Sequence, residues 1–437
     1  MAERRPPVTL SPHALPGPSN TLRETLPNGL TVLIRENPTS PSVVISGYVL
    51  AGAEDEPRDK SGLASFTADV MERGTRRRPF SVLYEEIESI GASFGVTGST
   101  HLTLFGAKGL SEHLSLLLDI LADVLQHPAF EAQDVEKVRE EILITLQEHA
   151  NDTRHATRLR LRQLAYPPEH PYHWSSLGDL NTVRALSRED LHAFHSTYIA
   201  PQGGTLVIVG DIQPRAALEA VRRTFGAWEK TRPPRQTLPP IPNISQQHRD
   251  HVTLADKSQI SFRLGWIGPS RYHPDYLSCH VANTILGVFG MYGRLGRRLR
   301  EQHGLAYYVS SHVNSSPYPG LWSVSAGLDP DALQRAKAII LREVQELQDR
   351  PVSLQELEDV QAYLVGGLPL ALETNEGVAS GLIAIERYGL GLDYFQRYSD
   401  LIYAVSPQDV QRVSRSWLDS DRYILVTAGP QSPCFTE

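Results

Sequence analysis

The chain is poor in cysteine: its 437 residues include two, Cys279 and Cys434. Two thiols so far apart close at most one bridge, which excludes a disulfide-built scaffold, and such sparse use suits a reducing compartment. Long apolar runs are missing too. No stretch approaches the ~18 apolar residues of a membrane span. The opening "MAERRPPVTLSPHALPGPSN" is polar and proline-rich and lacks the apolar core of a secretory signal. Positive charge is in deficit, with a formal net charge of −8 and a pI near 6.1. That balance disfavours nucleic acid and anionic membranes as partners. The resulting expectation is a soluble cytoplasmic protein. What is present is ordinary for a globular chain: 41% hydrophobic and 21% charged residues, enough for two or more domains with sizeable cores.

A repeat organises the chain. "LSREDLHAFHSTYIAPQGGTLVIVGD" (Leu186 to Asp211) aligns without a gap with "VSPQDVQRVSRSWLDSDRYILVTAGP" (Val405 to Pro430), at an offset of 219, half the chain length. Ser187 meets Ser406, Asp190 meets Asp409, Leu191 meets Val410, Tyr198 meets Trp417 and Gly210 meets Gly429. Each copy predicts a helix with a serine N-cap and an acidic first turn, then a buried strand ended by glycine. Between the copies, residues 229–250 hold five prolines and little periodicity, which predicts an extended, exposed linker. The expected domains are therefore 1–228 and 251–437. Both halves read as strands, then helices, a strand pair and further helices, without strict βαβ alternation. This predicts an α+β fold: two homologous domains, each a largely antiparallel sheet flanked by helices.

The stretch "GLASFTADVMERGT" reads as a helix, with Ser61 as N-cap and Gly74 as stop. Leu63, Phe66, Val70 and Met71 form an apolar stripe. Ser65, Ala68 and Asp69 stand at i, i+3 and i+4 and share another face. Zinc chemistry on such a helix needs His at i and i+4 with a Glu beside them. Ser is a poor ligand, Ala is none, and one Asp is too few.

Together with "LPNGLTVLIRE", "HPYHWSSLGDL", "YIAPQGGTLVIVGD" and "GRLGRRLREQHGLAYYV", this stretch resembles the pitrilysin / mitochondrial-processing-peptidase family of inverted-motif zinc peptidases over almost the whole chain. The resemblance implies a clam-like pair of domains. It also implies an H-x-x-E-H motif in active members, whose positions here are Ser65, Ala68 and Asp69. A third ligand, a Glu, is expected near Thr145 or Leu146, with Glu141 and Glu148 nearby. By this resemblance the chain holds no zinc, and zinc belongs to a homologous partner subunit.

In the second half, Arg300 stands on the last turn of a predicted helix ended by Gly304, and Tyr307 just inside the next strand. Arg offers five donors and Tyr a hydroxyl, suited to holding a carbonyl and stabilising an oxyanion. The residues alone favour a solvated basic face and an ordinary half-buried strand tyrosine. The family resemblance implies more: an Arg-x6-Tyr pair that faces the zinc helix of the first half or of a partner subunit.

The same resemblance makes the strand of Phe94, Gly95 and Val96 a substrate-pairing edge by β-augmentation. Gly95 stands where the family carries Asn, and Phe94 and Val96 serve equally well as sheet packing. Gly287 and Gly290 resemble the glycine-bearing loop of non-catalytic processing-peptidase subunits, or are simple turn residues. His170/His173 and His192/His195 lack a completing carboxylate or Cys and read as surface or capping residues. The functional expectation is a zinc-less subunit of a heterodimeric metallopeptidase acting on peptides or unfolded segments, or a homodimer where the partner is missing. The alternative is a scaffold or peptide-binding protein of the same fold.

Overall fold

The computed structural model describes residues 15–288, 293–314 and 316–431. The first half runs β1 (Leu22–Thr25), β2 (Thr31–Glu36), β3 (Ser42–Val49), α1 (Leu63–Met71), α2 (Phe80–Glu88), β4 (Ser93–Gly98), β5 (Thr103–Leu110), α3 (Leu114–Gln126), α4 (Ala132–Ala150), α5 (Thr153–Ala165), α6 (Leu180–Ala185), α7 (Arg188–Tyr198), β6 (Thr205–Gly210) and α8 (Pro214–Phe225). The second runs β7 (His248–Thr253), β8 (Ile260–Ile267), α9 (Tyr276–Asn283), β9 (Ala306–Val313), β10 (Leu321–Leu328), α10 (Leu333–Asp349), α11 (Leu354–Ala371), α12 (Asn375–Tyr388), α13 (Tyr394–Tyr403), α14 (Pro407–Trp417) and β11 (Ile424–Gly429). Two π-helical segments, Thr284–Val288 and Gly296–Gln302, lie between α9 and β9.

The sheets are ordered β1-β2-β6-β3-β5-β4 and β7-β11-β8-β10-β9. Apart from β1, the two orders are the same. Each sheet has one parallel pair, β2 with β6 and β7 with β11, and is otherwise antiparallel. The repeated units have the same local chemistry. Ser187 and Ser406 each cap their helix in a reciprocal box with Asp190 and Asp409. The strands that follow, β6 and β11, are buried along their whole length.

Each sheet is covered on one face by its own half and on the other by a helix of the opposite half. The first-half core packs one face of its sheet, including Val32, Ile34, Ile45 and Ile208 against the helices. The other face presents Leu33, Val44, Val207 and Val209, and these meet Val378, Ala379, Leu382 and Ile385 of α12. In return, Leu161 and Ala165 of α5 pack on Ile424 and Val426 of β11. A Cβ at Gly265 would come within 2.8 Å of the Leu161 side chain, so glycine there lets α5 lie close to β8. Polar ties reinforce the exchange: Arg23 pairs with Glu386 at 2.7 Å, and Asn37 Nδ2 donates to Asn375 Oδ1 at 2.7 Å.

The stretch expected to be an exposed linker differs in two ways. It ends at His248, where β7 begins. It is also fastened to the first half, because the Arg232 guanidinium is buried and pairs with the buried Asp55 at 2.6 Å, while Arg235 reaches Glu54 at 2.7 Å. Two buried carboxylates need cationic partners, and the proline-rich strand brings them.

Candidate functional site

The motif helix α1 is set by residues outside it. Gly62, not Ser61, is its N-cap, in the left-handed region at φ 96°, and a Cβ there would strike Leu177 O at 2.7 Å. Glu56 caps the first amides of the helix: its two carboxylate oxygens accept from Gly62 N and Ala64 N, each at 2.9 Å. Burial pushes the Glu56 carboxyl up to about 8 against the pull of those amides. Ser61 instead ends the preceding 3-10 turn.

Ser65 and Ala68 are buried. Ser65 packs against the edge strand, where a Cβ at Gly98 would come within 2.6 Å of the Ser65 Cα. Asp69 is half-buried beside Glu72, Arg73 and Glu141, and burial followed by the Glu72 charge pushes its carboxyl up to about 7. Glu141 pairs with Arg73 at 2.6 Å. Glu72 accepts from the backbone N–H of Val96. Leu146 is buried, and the Thr145 hydroxyl donates to Glu141 O at 3.0 Å. The donor set does not fit zinc: Ala68 has no ligand atom, Glu141 is held by an arginine, and Glu72 is held by the strand. No group of three His, Cys, Asp or Glu residues suited to a metal occurs among the described residues.

The expected substrate edge is β4. Its side chains follow the two-residue period. Val96 is buried in the first-half core, and Phe94 packs against it and against Tyr84, with ring centroids 5.6 Å apart. Gly95 faces Glu72, 3.5 Å from where its Cβ would stand. The structure thus brings these three residues together as core packing and as a partner for Glu72, with the Val96 amide already bound.

Arg300 lies on the last turn of the Gly296–Gln302 segment, before Gly304 at φ 59°. It is exposed, and its guanidinium has no hydrogen-bond or ion-pair partner among the described residues. Tyr307, also exposed, donates its hydroxyl to Asp329 Oδ1 at 3.1 Å, and that contact raises its pKa. The neighbouring arginines behave differently: Arg294 pairs with Glu356 at 2.7 Å and Arg298 with Glu343 at 2.9 Å. Gly287 abuts the edge of β9, where a Cβ would come within 2.8 Å of Ser311 N. Gly290 lies outside the described residues.

The histidine pairs are structural. His170 Nδ1 accepts from Tyr172 N at 3.1 Å, and His195 Nε2 donates to Leu125 O at 2.9 Å. What residue patterns did not reveal is a chamber of about 990 Å³ between the halves, lined by α5 on one side and by β8, β9 and β10 on the other. Arg158, Arg162 and Arg263 all face it, and no Asp or Glu is among its lining residues.

The comparisons agree with this geometry. The description "Peptidase M16 inactive domain" matches residues 185–364, and "Insulinase (Peptidase family M16)" matches residues 31–171. An uncharacterized zinc protease of Bacillus subtilis is 24% identical over 82% of this chain and 86% of its own length. A probable mitochondrial-processing peptidase subunit beta of Arabidopsis thaliana is 25% identical over 96% of this chain and 80% of its own. Subunit 1 of the bovine cytochrome b-c1 complex is 29% identical over 60% of this chain and 55% of its own. Among solved structures, a peptidase M16 inactive domain from Pseudomonas fluorescens superposes with a TM-score of 0.87 at 22% identity, covering 94% of this chain and 98% of its own. Matches spread across both halves, on a fold whose two sheets share one strand order, place the chain in peptidase family M16, the pitrilysin family of metallopeptidases.

Proposed function

We propose that this chain is the zinc-less subunit of a two-subunit M16 peptidase. A homologous partner brings the H-x-x-E-H motif and its zinc, and this chain brings Arg300 and Tyr307 to the peptide being cut. The observation that carries the reading is the contrast between α1, whose motif positions hold Ser65, Ala68 and Asp69, and Arg300, an exposed cation with no partner among the described residues, beside the paired Arg294 and Arg298. Unused donors of that kind suit a carbonyl oxygen that gains charge in the transition state. Tyr307 would exchange Asp329 for the substrate as its acceptor. Similarity to a processing-peptidase subunit supports a partner of the same family, and a cytoplasmic setting accords with the sparse cysteine.

The second reading, a scaffold or peptide-binding protein, is favoured by one observation: the Val96 amide is bound to Glu72 and not free to pair with a substrate strand. Co-expression with a zinc-bearing M16 homologue separates the two. A quenched peptide cut by the mixture, by neither Arg300→Ala nor the chain alone, supports the subunit reading. Equal turnover by the partner with and without this chain contradicts it.

A further inference from the structure

The chamber between the halves has an unbalanced charge. Arg158 and Arg162 project from α5, and Arg263 from β8. None of the three has an ion-pair partner among the described residues. Arg162 is used structurally, donating through Nε to Tyr172 O at 2.6 Å and through Nη2 to Trp174 O. Arg158 reaches only a neutral partner, with its Nη2 3.3 Å from His155 Nδ1. The Nε of Arg263 is buried with no hydrogen-bond partner among the described residues. Buried donors without acceptors are rare, because each forfeits its hydration for nothing.

The groups facing one another here are all neutral or positive. Burial lowers the Arg263 guanidinium, and Arg158 adds to the effect. Burial also lowers His312, with Arg263 contributing, and lowers His155 to about 4, with His149 and Arg158 contributing. Hydroxyl donors complete the wall: Ser310 and Ser325, 3.0 Å apart, with Ser323 and Asn314 beside them. A chain of net charge −8 has acidic residues to spare, yet none lines this cavity.

We infer that the chamber is a binding site for the carboxylates of an acidic peptide, with Arg158 and Arg263 as the anchoring cations. A guanidinium matches a carboxylate in a two-pronged geometry; Arg158 stands exposed at the chamber's edge, and the buried Nε of Arg263 offers the stronger, less hydrated donor. A volume of about 990 Å³ admits a short peptide segment, not a folded domain. This inference names a substrate class for the peptide-handling chain proposed above. It concerns binding to this chain alone, so it stands or falls separately from any zinc-bearing partner.

The test uses the full chain without a partner and fluorescence anisotropy of a labelled Glu-rich decapeptide. Its counterparts carry Gln or Lys in place of Glu, and a fourth version has an amidated C-terminus. The Glu peptide is expected to bind at least about tenfold tighter than the Gln peptide, since hydrogen bonds to charged groups are the stronger kind. Arg263→Gln and, separately, Arg158→Gln should each remove about tenfold of that affinity, and Arg263→Lys should keep part of it. Arg342→Gln, on an exposed surface helix, should change nothing. Retention of affinity on amidation assigns the side-chain carboxylates as the ligand, and loss on amidation, which gives the site to a terminal carboxylate instead, overturns the inference. Equal binding of the Glu and Gln peptides overturns the inference, as does inorganic phosphate binding with no preference for Glu, or an equal loss in Arg342→Gln.

Discussion

The motif face of α1 and the rim of the second half differ in how their charges are satisfied. On α1, Arg73 is held by Glu141, Glu72 by the Val96 amide, and the first amides of the helix by Glu56. Around β9, Arg300 stands exposed with no partner among the described residues, and Arg158 and Arg263 face a chamber whose described lining holds no carboxylate. Internal partners make a structural surface; unmatched donors in a defined place make a binding one. The difference teaches that in this chain the charges around α1 serve the structure, and that ligand chemistry is to be sought between the halves and in the second one.

The sharpest way to break the comparison is kinetic. In complex with a zinc-bearing homologue, Arg300→Ala should lower turnover by about 10²–10³, the usual effect of losing an oxyanion donor, while Asp69→Asn should leave it unchanged. Equal effects would erase the distinction between the two regions. The exchanged helices come next. Leu382→Ala in α12 should destabilise the chain by about 2–5 kcal/mol in urea unfolding, as for other buried leucines, and Leu161→Ala in α5 by a similar amount if the two covers are equivalent.

Smaller effects test the internal partners of α1. Glu56→Ala should cost about 1–2 kcal/mol, the value of a helix cap. Asp69 and Glu56, with carboxyls at about 7 and about 8, bind protons on folding, because both values lie above those of the unfolded chain. The folded state then holds more protons between about pH 4 and pH 8, so stability falls as pH rises through that window. Asp69→Asn should flatten the fall, raising stability at pH 8 relative to pH 4.5 by about 1 kcal/mol or more. A variant with the same pH slope as the parent would show that the Asp69 carboxyl is not held in its protonated form.

Local chemistry was legible in the sequence. Both serine-aspartate capping boxes, both glycine-ended strands, the strand pairs and the α+β class follow from short-range patterns, and the structure has them. Partners supplied from a distance were not legible. The apolar spacing of α5 and α12 shows that each buries a face, but not that each buries it on the sheet of the other half. The cap of α1 comes from Glu56, outside the helix, so the local pattern favoured Ser61. The π-helical Thr284–Val288 and Gly296–Gln302 have no residue signature of their own. The chamber's cations stand on α5 and β8, about a hundred residues apart in the chain, and only the fold brings them together. Proline content led to the expectation of an extended, exposed linker, but composition could not show that Arg232 would be drawn into a buried pair with Asp55.

The central claim is that the chain needs a zinc-bearing partner because α1 no longer offers ligands. Zinc analysis of the purified chain, alone and unmixed, with peptide turnover measured on the same sample, tests it most directly. Only trace zinc and no cleavage are expected from the chain by itself. Stoichiometric zinc with peptide cleavage by the isolated chain would contradict it.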